Sequence, residues 1–181
     1  KVLKGPYQAY NRIPVTDVDE ELVRVGRGTP CGEYLRRFWQ PVALASQLGD
    51  LPRAIRIMGE DMVAFRDRSG RVGILERACC HRGTSLEYGK IDDRGIRCCY
   101  HGWQFDIDGT ILDTPGEAPD STLRHKIRQG AYPAHEWKGV VFAYMGPPGK
   151  KPPFPIYDAF EREGAAFEHR YRHSPCNWLQ V

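Results

Sequence analysis

Two short motifs of cysteine and histidine, near the middle of the chain, constrain its fold more strongly than any other feature. The first covers residues 79–81 and reads Cys-Cys-His, and the second covers residues 98–101 and reads Cys-Cys-Tyr-His. Their spacing selects four candidate metal ligands, which are Cys79, His81, Cys98 and His101. A glycine follows each motif, at Gly83 and Gly102, where it lets the backbone turn sharply and aim its N–H groups at sulfur. The fold must therefore bring two loops together around one metal site.

Three interpretations of these residues are open at this point. A structural zinc ion also takes two thiolates and two imidazoles, but its usual signature pairs cysteine with cysteine and histidine with histidine. In the second interpretation the residues bind no metal and are buried thiols and scattered histidines, which would require four ligand-type residues to occur at matched spacing by chance. Mixed Cys/His pairs on two loops favour a [2Fe–2S] centre of the Rieske type, in which two cysteines hold one iron and two histidines hold the other.

The composition excludes several classes of protein. The 181 residues are 41% hydrophobic and 11% aromatic, which suffices for one full core and part of another. The net charge is only +3, from 26 basic and 23 acidic residues, so no nucleic-acid partner is expected. No apolar run approaches the ~18 residues of a membrane span, so no membrane partner is expected either. Adjacent cysteines suit disulfides poorly and no secretory signal is visible, which predicts a cytoplasmic protein.

The order of the segments predicts a mainly β fold of antiparallel strands. We divide the chain into an N-terminal arm and helix (1–40), a β domain (41–146), a proline-rich linker (147–165) and the start of a truncated α+β domain (166–181). The linker has few backbone donors and favours extended geometry, so it should lead away from the β domain.

Local patterns predict the individual elements. A short helical turn is expected within residues 16–28 and a helix over residues 30–39, where apolar side chains cluster on one side. Alternating or continuous apolar residues predict strands over 54–58, 62–65, 72–75, 127–133, 140–145 and 166–172. Asp108-Gly109 is expected to close a hairpin within residues 104–112, and Lys138-Gly139 is expected at another turn. Residues 176–181 are typical of the start of a further element.

One continuous stretch, residues 79–117, resembles the cluster-binding region of the Rieske non-haem iron oxygenases, the ring-hydroxylating family. It reads CCHRGTSLEYGKIDDRGIRCCYHGWQFDIDGTILDTPGE, and it is most similar to the phthalate-dioxygenase-like enzymes. The flanks VGRGTPCGEYLRRFWQPVALASQL and YPAHEWKGVVFAYMGPP are also similar to that family, and CNWLQV resembles the opening of its catalytic domain. The resemblance implies an antiparallel Rieske [2Fe–2S] domain at the N-terminal end of an oxygenase (alpha) component.

The resemblance also assigns roles to individual residues. The two thiolates, Cys79 and Cys98, would bind one iron, and the two imidazoles, His81 and His101, would bind the other. Neutral imidazoles raise the reduction potential above that of an all-cysteine cluster. Around these ligands, Gly83, Gly102 and Trp103 would form the supporting layer, with Trp103 covering the cluster and restricting water.

Two residues depart from the family pattern. Proline is commoner at the positions of Cys80 and Cys99. Reactive thiols or a strained bridge between them are alternatives, but we expect both cysteines to be small buried side chains. In respiratory-complex Rieske proteins a disulfide links the two cluster loops, and its cysteines would align here with Thr84 and Tyr100. Neither residue carries a thiol, which argues against the high-potential respiratory class.

An oxygenase also needs a mononuclear Fe(II), held by two histidines and one carboxylate. His169 and His173 have i, i+4 spacing, but a strand would hold their side chains apart, and no carboxylate follows them. His125 and His135 are expected at the surface or in hairpins. By resemblance the iron-binding triad lies beyond Val181, so no catalytic residue is expected within the chain.

Two functions from different classes follow. In the first, the chain is the electron-transfer portion of a Rieske mono- or dioxygenase, which takes electrons from a flavin- or ferredoxin-type reductase. The electrons would pass to a mononuclear iron that activates O2 to hydroxylate an aromatic or similar organic substrate, in a homotrimer. In the second, the chain is a stand-alone Rieske ferredoxin without catalysis of its own. The forty residues before the β domain and the linker after it favour the oxygenase.

Overall fold

The computed structural model describes residues 19–180, and short strands dominate their secondary structure. The strands are β1 (Trp39–Leu44), β2 (Arg53–Ile57), β3 (Glu60–Arg66), β4 (Val72–Glu76), β5 (Lys90–Ile91), β6 (Ile96–Arg97), β7 (Gln104–Phe105), β8 (Ile111–Asp113), β9 (Ala131–Tyr132), β10 (Ala134–Trp137) and β11 (Val140–Tyr144). The α-helices are α1 (Glu20–Val23), α2 (Pro30–Leu35) and α3 (Asp158–Glu161). Single 3-10 turns occur at Ala45–Gln47, Leu86–Tyr88, Leu123–His125, Pro148–Lys150 and Trp178–Gln180.

The strands form three sheets. The first has the strand order β1-β11-β10, the second β2-β3-β4-β9, and the third β5-β6-β7-β8. Neighbouring strands are antiparallel in all three sheets. The prediction of a mainly β, antiparallel fold is therefore confirmed.

Two predicted turns are confirmed by their backbone conformation. Lys138 and Gly139 join β10 to β11 with φ angles of 49° and 85°, the pair of positive values that a two-residue hairpin turn requires. Gly109 lies between β7 and β8 with a φ angle of 81°. The predicted strands 54–58, 62–65, 72–75 and 140–145 are also confirmed, with ends that differ by one or two residues.

Helix α2 begins where the sequence predicts and ends early. The Thr29 side chain accepts a hydrogen bond from the N–H of Gly32 at 3.2 Å and so caps the helix, and Pro30 occupies its first position. The prediction that the helix continues to Trp39 is wrong, since that residue begins β1. Trp39 pairs with Tyr144 of β11, and its indole N–H donates to the carbonyl of Pro152 at 3.2 Å, so pairing with a strand more than a hundred residues away decides its conformation.

The short helical turn predicted within residues 16–28 is confirmed as α1, which Asp19 caps by accepting from the N–H of Glu21 at 3.1 Å. The N-terminal arm, which the sequence predicts to be extended, lies outside the described residues. The further element predicted at residues 176–181 is a 3-10 turn, where the Trp178 indole donates to the carbonyl of Leu22 at 2.9 Å. The two ends of the described chain therefore lie side by side.

Two predicted strands are wrong in whole or in part. Within residues 127–133 only β9 is a strand, because the N–H of Gln129 donates to the carbonyl of Gly109 at 3.0 Å and joins no strand ladder. Residues 166–172 contain no strand. Their alternation reflects side-chain contacts, since the Phe167 ring stacks on Phe160 at 5.2 Å and the His169 ring binds the carbonyl of Lys138.

The buried apolar residues form two clusters. One fills the space between β1, β3, β4 and β11. The other lies under the two cysteine–histidine motifs and includes Leu86, Ile96, Trp103 and Phe105, all nearly inaccessible to solvent. Burial of each such side chain stabilises the fold by about 1.5–3 kcal/mol. The candidate metal site is therefore built on a close-packed base.

Among the helices of residues 19–180, none has the length and apolar character needed to cross a membrane.

Candidate metal centre

The first cysteine–histidine motif lies in a loop that follows β4. An isolated bridge between Ala78 and Ser85 closes the base of this loop. Inside it, the N–H of Cys79 donates to the carbonyl of Thr84 at 2.9 Å, and the N–H of Gly83 donates to the carbonyl of Cys79 at 2.8 Å. The loop is therefore a tight turn that begins at the candidate thiolate ligand.

The second motif lies in the loop between β6 and β7, and it has the same form. The N–H of Cys98 donates to the carbonyl of Trp103 at 2.8 Å, and the N–H of Gly102 donates to the carbonyl of Cys98 at 3.1 Å. Gly102 has a φ angle of 73°, as does Gly83 at the same place in the first loop. Both glycines therefore occupy a left-handed conformation that other residues rarely adopt. Only the position of the histidine differs, two residues after the first cysteine and three after the second.

The two loops bring the thiols of Cys79 and Cys98 together. Each residue is only 4% exposed, and both belong to the apolar cluster under the site. Burial raises the pKa of the Cys79 thiol to about 11, although the backbone N–H of His81 donates to this sulfur and partly offsets the effect. A buried thiol whose pKa is raised, such as that of Cys79, needs a nearby cation to become a thiolate, and a metal ion satisfies that condition.

The two imidazoles lie together beside the thiols. The ring centroids of His81 and His101 are 4.7 Å apart, and both residues are partly exposed. The His81 ring stacks on the Trp103 indole, with centroids 4.3 Å apart and an interplanar angle of 1°. Burial, followed by the neighbouring His101, lowers the pKa of His81. A neutral imidazole is the form that binds a metal ion.

The four candidate ligands are therefore arranged as two pairs. Within residues 19–180, no three histidine, cysteine or acidic side chains converge on a single point that could hold one metal ion. A binuclear group that takes two thiolates on one iron and two imidazoles on the other needs one pair of each kind. The donor set and its division into a buried sulfur pair and a partly exposed nitrogen pair fit such a group.

The remaining histidines lie elsewhere. His169 binds the carbonyl of Lys138 and stacks on Phe167, so the structure does not pair it with His173 in a metal site. His125 lies in an exposed 3-10 turn and His135 is exposed in β10, as expected.

Cys80 and Cys99 differ from the prediction. Both were expected to be buried, and both are exposed. In each loop the ligand cysteine points into the core beneath the site, and its neighbour therefore faces the other way, toward solvent. All six cysteines of the chain lie within the described residues, and all are free thiols.

The structure also adds residues that the sequence analysis missed. The Arg97 guanidinium donates to the carbonyl of Gly102 at 2.7 Å and to the Asp113 carboxylate at 2.8 Å, so it supports the second loop. The exposed Tyr100 ring lies against His101, with centroids 3.7 Å apart. Gln129 binds the first loop through its side-chain amide. Tyr100 and Arg97 are near the motif in sequence, whereas nothing in the sequence connects Gln129 with it.

Comparison with known proteins agrees with this geometry. Residues 38–135 match the Rieske [2Fe-2S] domain family. The chain is 54% identical, over 168 residues, to the tert-butanol monooxygenase / tert-amyl alcohol desaturase oxygenase subunit of Aquincola tertiaricarbonis. It is also 54% identical, over 153 residues, to the phenoxybenzoate dioxygenase subunit alpha of Ectopseudomonas oleovorans.

These matches cover 92% and 84% of the chain but only 36% and 37% of the two relatives, so the chain spans little more than a third of their length. Among solved structures, dicamba monooxygenase bound to dicamba is similar with a TM-score of 0.63 and 23% identity. That similarity covers 71% of this chain and 41% of the other, and it shows that the two chains share a fold.

Proposed function

Since the chain belongs to the Rieske [2Fe-2S] domain family, we propose that it is the electron-delivering portion of a Rieske oxygenase component. The observation that carries the proposal is the pairing of two buried thiols with two partly exposed imidazoles on loops of the same form. The relatives are oxygenase subunits, which favours this function over that of a stand-alone Rieske ferredoxin.

We assign Cys79 and Cys98 as ligands of one iron, and His81 and His101 as ligands of the other. When bound, a [2Fe–2S] group supplies one-electron transfer. The buried thiol pair keeps water away from the sulfur side of the site, because both residues are 4% exposed. The imidazole pair, which is partly exposed, gives the site its contact with the exterior. Electrons would therefore enter and leave at the histidine side.

Neighbouring rings orient the two imidazoles. Trp103 covers one face of His81 from inside, and Tyr100 lies against His101 from outside. Gly83 and Gly102 let the backbone turn sharply after the ligands, and their N–H groups close the two loops on the carbonyls of Cys79 and Cys98. The chain thus binds and orients the cluster, excludes water on one side and leaves the other accessible to a partner.

The proposal extends to the whole protein. We propose residues 41–146 as the Rieske domain, residues 147–165 as a linker and residues 166–181 as the start of a catalytic domain that holds a mononuclear Fe(II). A flavin- or ferredoxin-type reductase would supply the electrons, and O2 and an aromatic or similar organic molecule would be the substrates. We further propose a homotrimer. We also propose a cytoplasmic location, for which the six free cysteines are the supporting observation.

The first test is chemical analysis of the purified chain. We expect a red-brown protein with about two irons and two acid-labile sulfides per chain, and a Rieske-type EPR signal after reduction. One bound zinc ion, or neither metal nor sulfide, would contradict the proposed function.

The second test concerns the ligands. His81→Cys and His101→Cys should each abolish or alter the EPR signal, while the matched substitution of an exposed histidine, His173→Cys, should leave it unchanged. An unaltered signal in either ligand variant would mean that the assignment of the imidazoles is wrong.

The third test concerns the oxygenase. The full-length protein should contain two further histidines and one carboxylate that bind one additional Fe(II) per chain. If the full-length protein contained only the iron of the cluster, the oxygenase function would be excluded, and the function of an electron carrier would remain.

A further inference from the structure

A buried glutamine outside both motifs is bound by three hydrogen bonds to the first loop and to the end of β4, which precedes it. Gln129 is 2% exposed, and it lies 49 residues after Cys80 along the chain. Its Oε1 accepts from the N–H of Cys80 at 2.7 Å, while its Nε2 donates to the carbonyls of Glu76 at 2.8 Å and Ala78 at 2.9 Å. One side-chain amide therefore joins the last residue of β4 to the two residues that flank Cys79, Ala78 and Cys80.

With these bonds, each of the two peptide units that flank Cys79 is hydrogen-bonded at both its carbonyl and its N–H. In the first unit, the carbonyl of Ala78 accepts from Gln129 and the N–H of Cys79 donates to Thr84. In the second unit, the carbonyl of Cys79 accepts from Gly83 and the N–H of Cys80 donates to Gln129. Because a peptide unit is planar, fixing both units at both ends fixes the two backbone angles of Cys79. The direction of its thiol follows from those angles.

The chemistry of the contact requires a carboxamide of this length. Two backbone carbonyls must receive N–H donors and one backbone N–H must find an acceptor, and a neutral amide side chain supplies both kinds of group. A carboxylate lacks the donors, and an apolar side chain would leave all three backbone groups without these partners in a buried place. The second loop is supported in a different way, through the Arg97 guanidinium on the carbonyl of Gly102.

We propose that Gln129 is a positioning residue of the cluster site, which holds the Cys79 loop in the metal-binding conformation through its three hydrogen bonds to that loop and to the end of β4. This inference rests on the proposed function, since it takes the bound group to be a [2Fe–2S] cluster. Gln129 acts through the backbone and contacts no candidate ligand side chain in its three bonds. Residues that orient metal ligands in this manner commonly change metal affinity by roughly 10–100-fold when they are replaced.

The test compares two glutamine-to-methionine substitutions in the cluster-loaded chain. Gln129→Met keeps the length of the side chain and removes the three hydrogen bonds. Gln40→Met is the matched control, because the Gln40 amide also donates to backbone carbonyls, those of Leu35 at 2.7 Å and Phe38 at 3.4 Å, at the end of α2. Three quantities are measured: the rate of cluster loss to a chelator, the EPR g values of the reduced protein, and the reduction potential.

We expect Gln129→Met to lose its cluster about 10–100-fold faster than the unsubstituted chain, with altered g values and a shifted potential. Gln40→Met should lower the melting temperature and leave all three quantities unchanged. If the two variants differ from the unsubstituted chain only in melting temperature, Gln129 has a merely structural role and the inference is overturned.

A measurement on the unsubstituted protein covers the case in which Gln129→Met does not fold. Amide hydrogen exchange should show the Cys80 N–H protected by at least about tenfold, because it donates to a buried acceptor. Free exchange of this amide would overturn the inference. A missing Rieske signal in the unsubstituted chain would overturn the proposed function and this inference with it, whereas a normal signal that Gln129→Met leaves unchanged would overturn this inference alone.

Discussion

The imidazole of His81 lies flat against the indole of Trp103, with ring centroids 4.3 Å apart and planes 1° from parallel. Trp103 is only 1% exposed and belongs to the apolar cluster under the site. The orientation of a candidate ligand is therefore tied directly to core packing. A ligand held in this way loses little conformational entropy when it binds a metal, because its ring is already fixed.

The first prediction concerns this stacked pair. Trp103→Ala should lower the free energy of unfolding by about 3–5 kcal/mol, because it removes a large buried side chain and leaves a cavity. It should also change the EPR g values of the cluster-loaded chain, because the His81 ring loses the surface that orients it. Urea unfolding of the metal-free chain and EPR of the reduced protein measure the two effects.

Trp137→Ala is the control for that substitution. Trp137 contacts Phe154 and Phe160 on the outer side of the first sheet, and it is only partly buried. Its replacement should cost less stability and leave the EPR signal unchanged. Equal effects of the two tryptophans on the signal would show that the stacking on His81 has no part in orienting the ligand.

The sequence predicts those parts of the fold that depend on neighbouring residues. The Lys138-Gly139 turn follows from local backbone preferences, and so does the cap of α2 at Thr29. The spacing of the two motifs is local as well, and it is enough to select four residues that the fold then brings together. The two glycines after the motifs were also identified from the sequence, since a sharp turn requires them.

The parts that the sequence does not predict depend on distant contacts. Trp39 was assigned to a helix and begins a strand, because it pairs with Tyr144 of β11 far along the chain. In residues 166–172 polar and apolar side chains alternate as in a strand, but the segment joins no sheet. Its side chains pack on neighbouring residues instead, as the Phe167 ring does on Phe160. Gln129 could not be recognised as part of the site, because its partners lie about fifty residues earlier in the chain.

The second prediction separates the two members of each cysteine pair. Cys79 and Cys98 are buried, whereas Cys80 and Cys99 are exposed. Cys79→Ser and Cys98→Ser should therefore abolish cluster binding. Cys80→Ser and Cys99→Ser should keep full iron and sulfide content and change stability by no more than about 0.5 kcal/mol. Metal analysis of the four variants measures this, and loss of iron in either exposed variant would contradict the assignment of the ligands.

The third prediction concerns acid stability and depends on the buried carboxylate of Asp67. This carboxylate accepts hydrogen bonds from the Ser69 hydroxyl at 2.6 Å, from the Arg71 guanidinium at 2.7 Å and from the N–H of Gly95 at 3.1 Å. Burial alone would raise the pKa of Asp67, but these hydrogen bonds and that of the Arg71 N–H outweigh it and hold the pKa below its ordinary value. Asp67→Asn should cost about 1–3 kcal/mol at pH 7, because it removes a charged acceptor from a buried network.

The sign of the pH dependence follows from the direction of that shift. Because the pKa of Asp67 is lower in the folded state, its contribution to stability is complete above the unfolded value of about 3.9 and is lost as the pH falls through the folded value. The difference between the unsubstituted chain and Asp67→Asn should therefore shrink below about pH 4 in urea unfolding of the metal-free protein. The exposed control Asp50→Asn should give a curve parallel to that of the unsubstituted chain. A difference for Asp67→Asn that stays constant from pH 7 to pH 3 would mean that Asp67 has no part in acid unfolding.

The fourth prediction concerns the close approach of the β7–β8 turn to the segment that carries Gln129. A Cβ atom added at Gly109 would lie 2.0 Å from the carbonyl oxygen of Gln129, and the φ angle of 81° is itself unfavourable for other residues. Gly70 has a similar φ angle of 90° and open space around it, so Gly70→Ala measures the backbone strain alone, which costs about 1–2 kcal/mol. Gly109→Ala should cost more than Gly70→Ala in urea unfolding, because the backbone of Gln129 must also move. It should in addition speed the loss of the cluster to a chelator, since that movement displaces the amide that holds the Cys79 loop. Equal costs for the two substitutions would show that the turn can relax without disturbing Gln129.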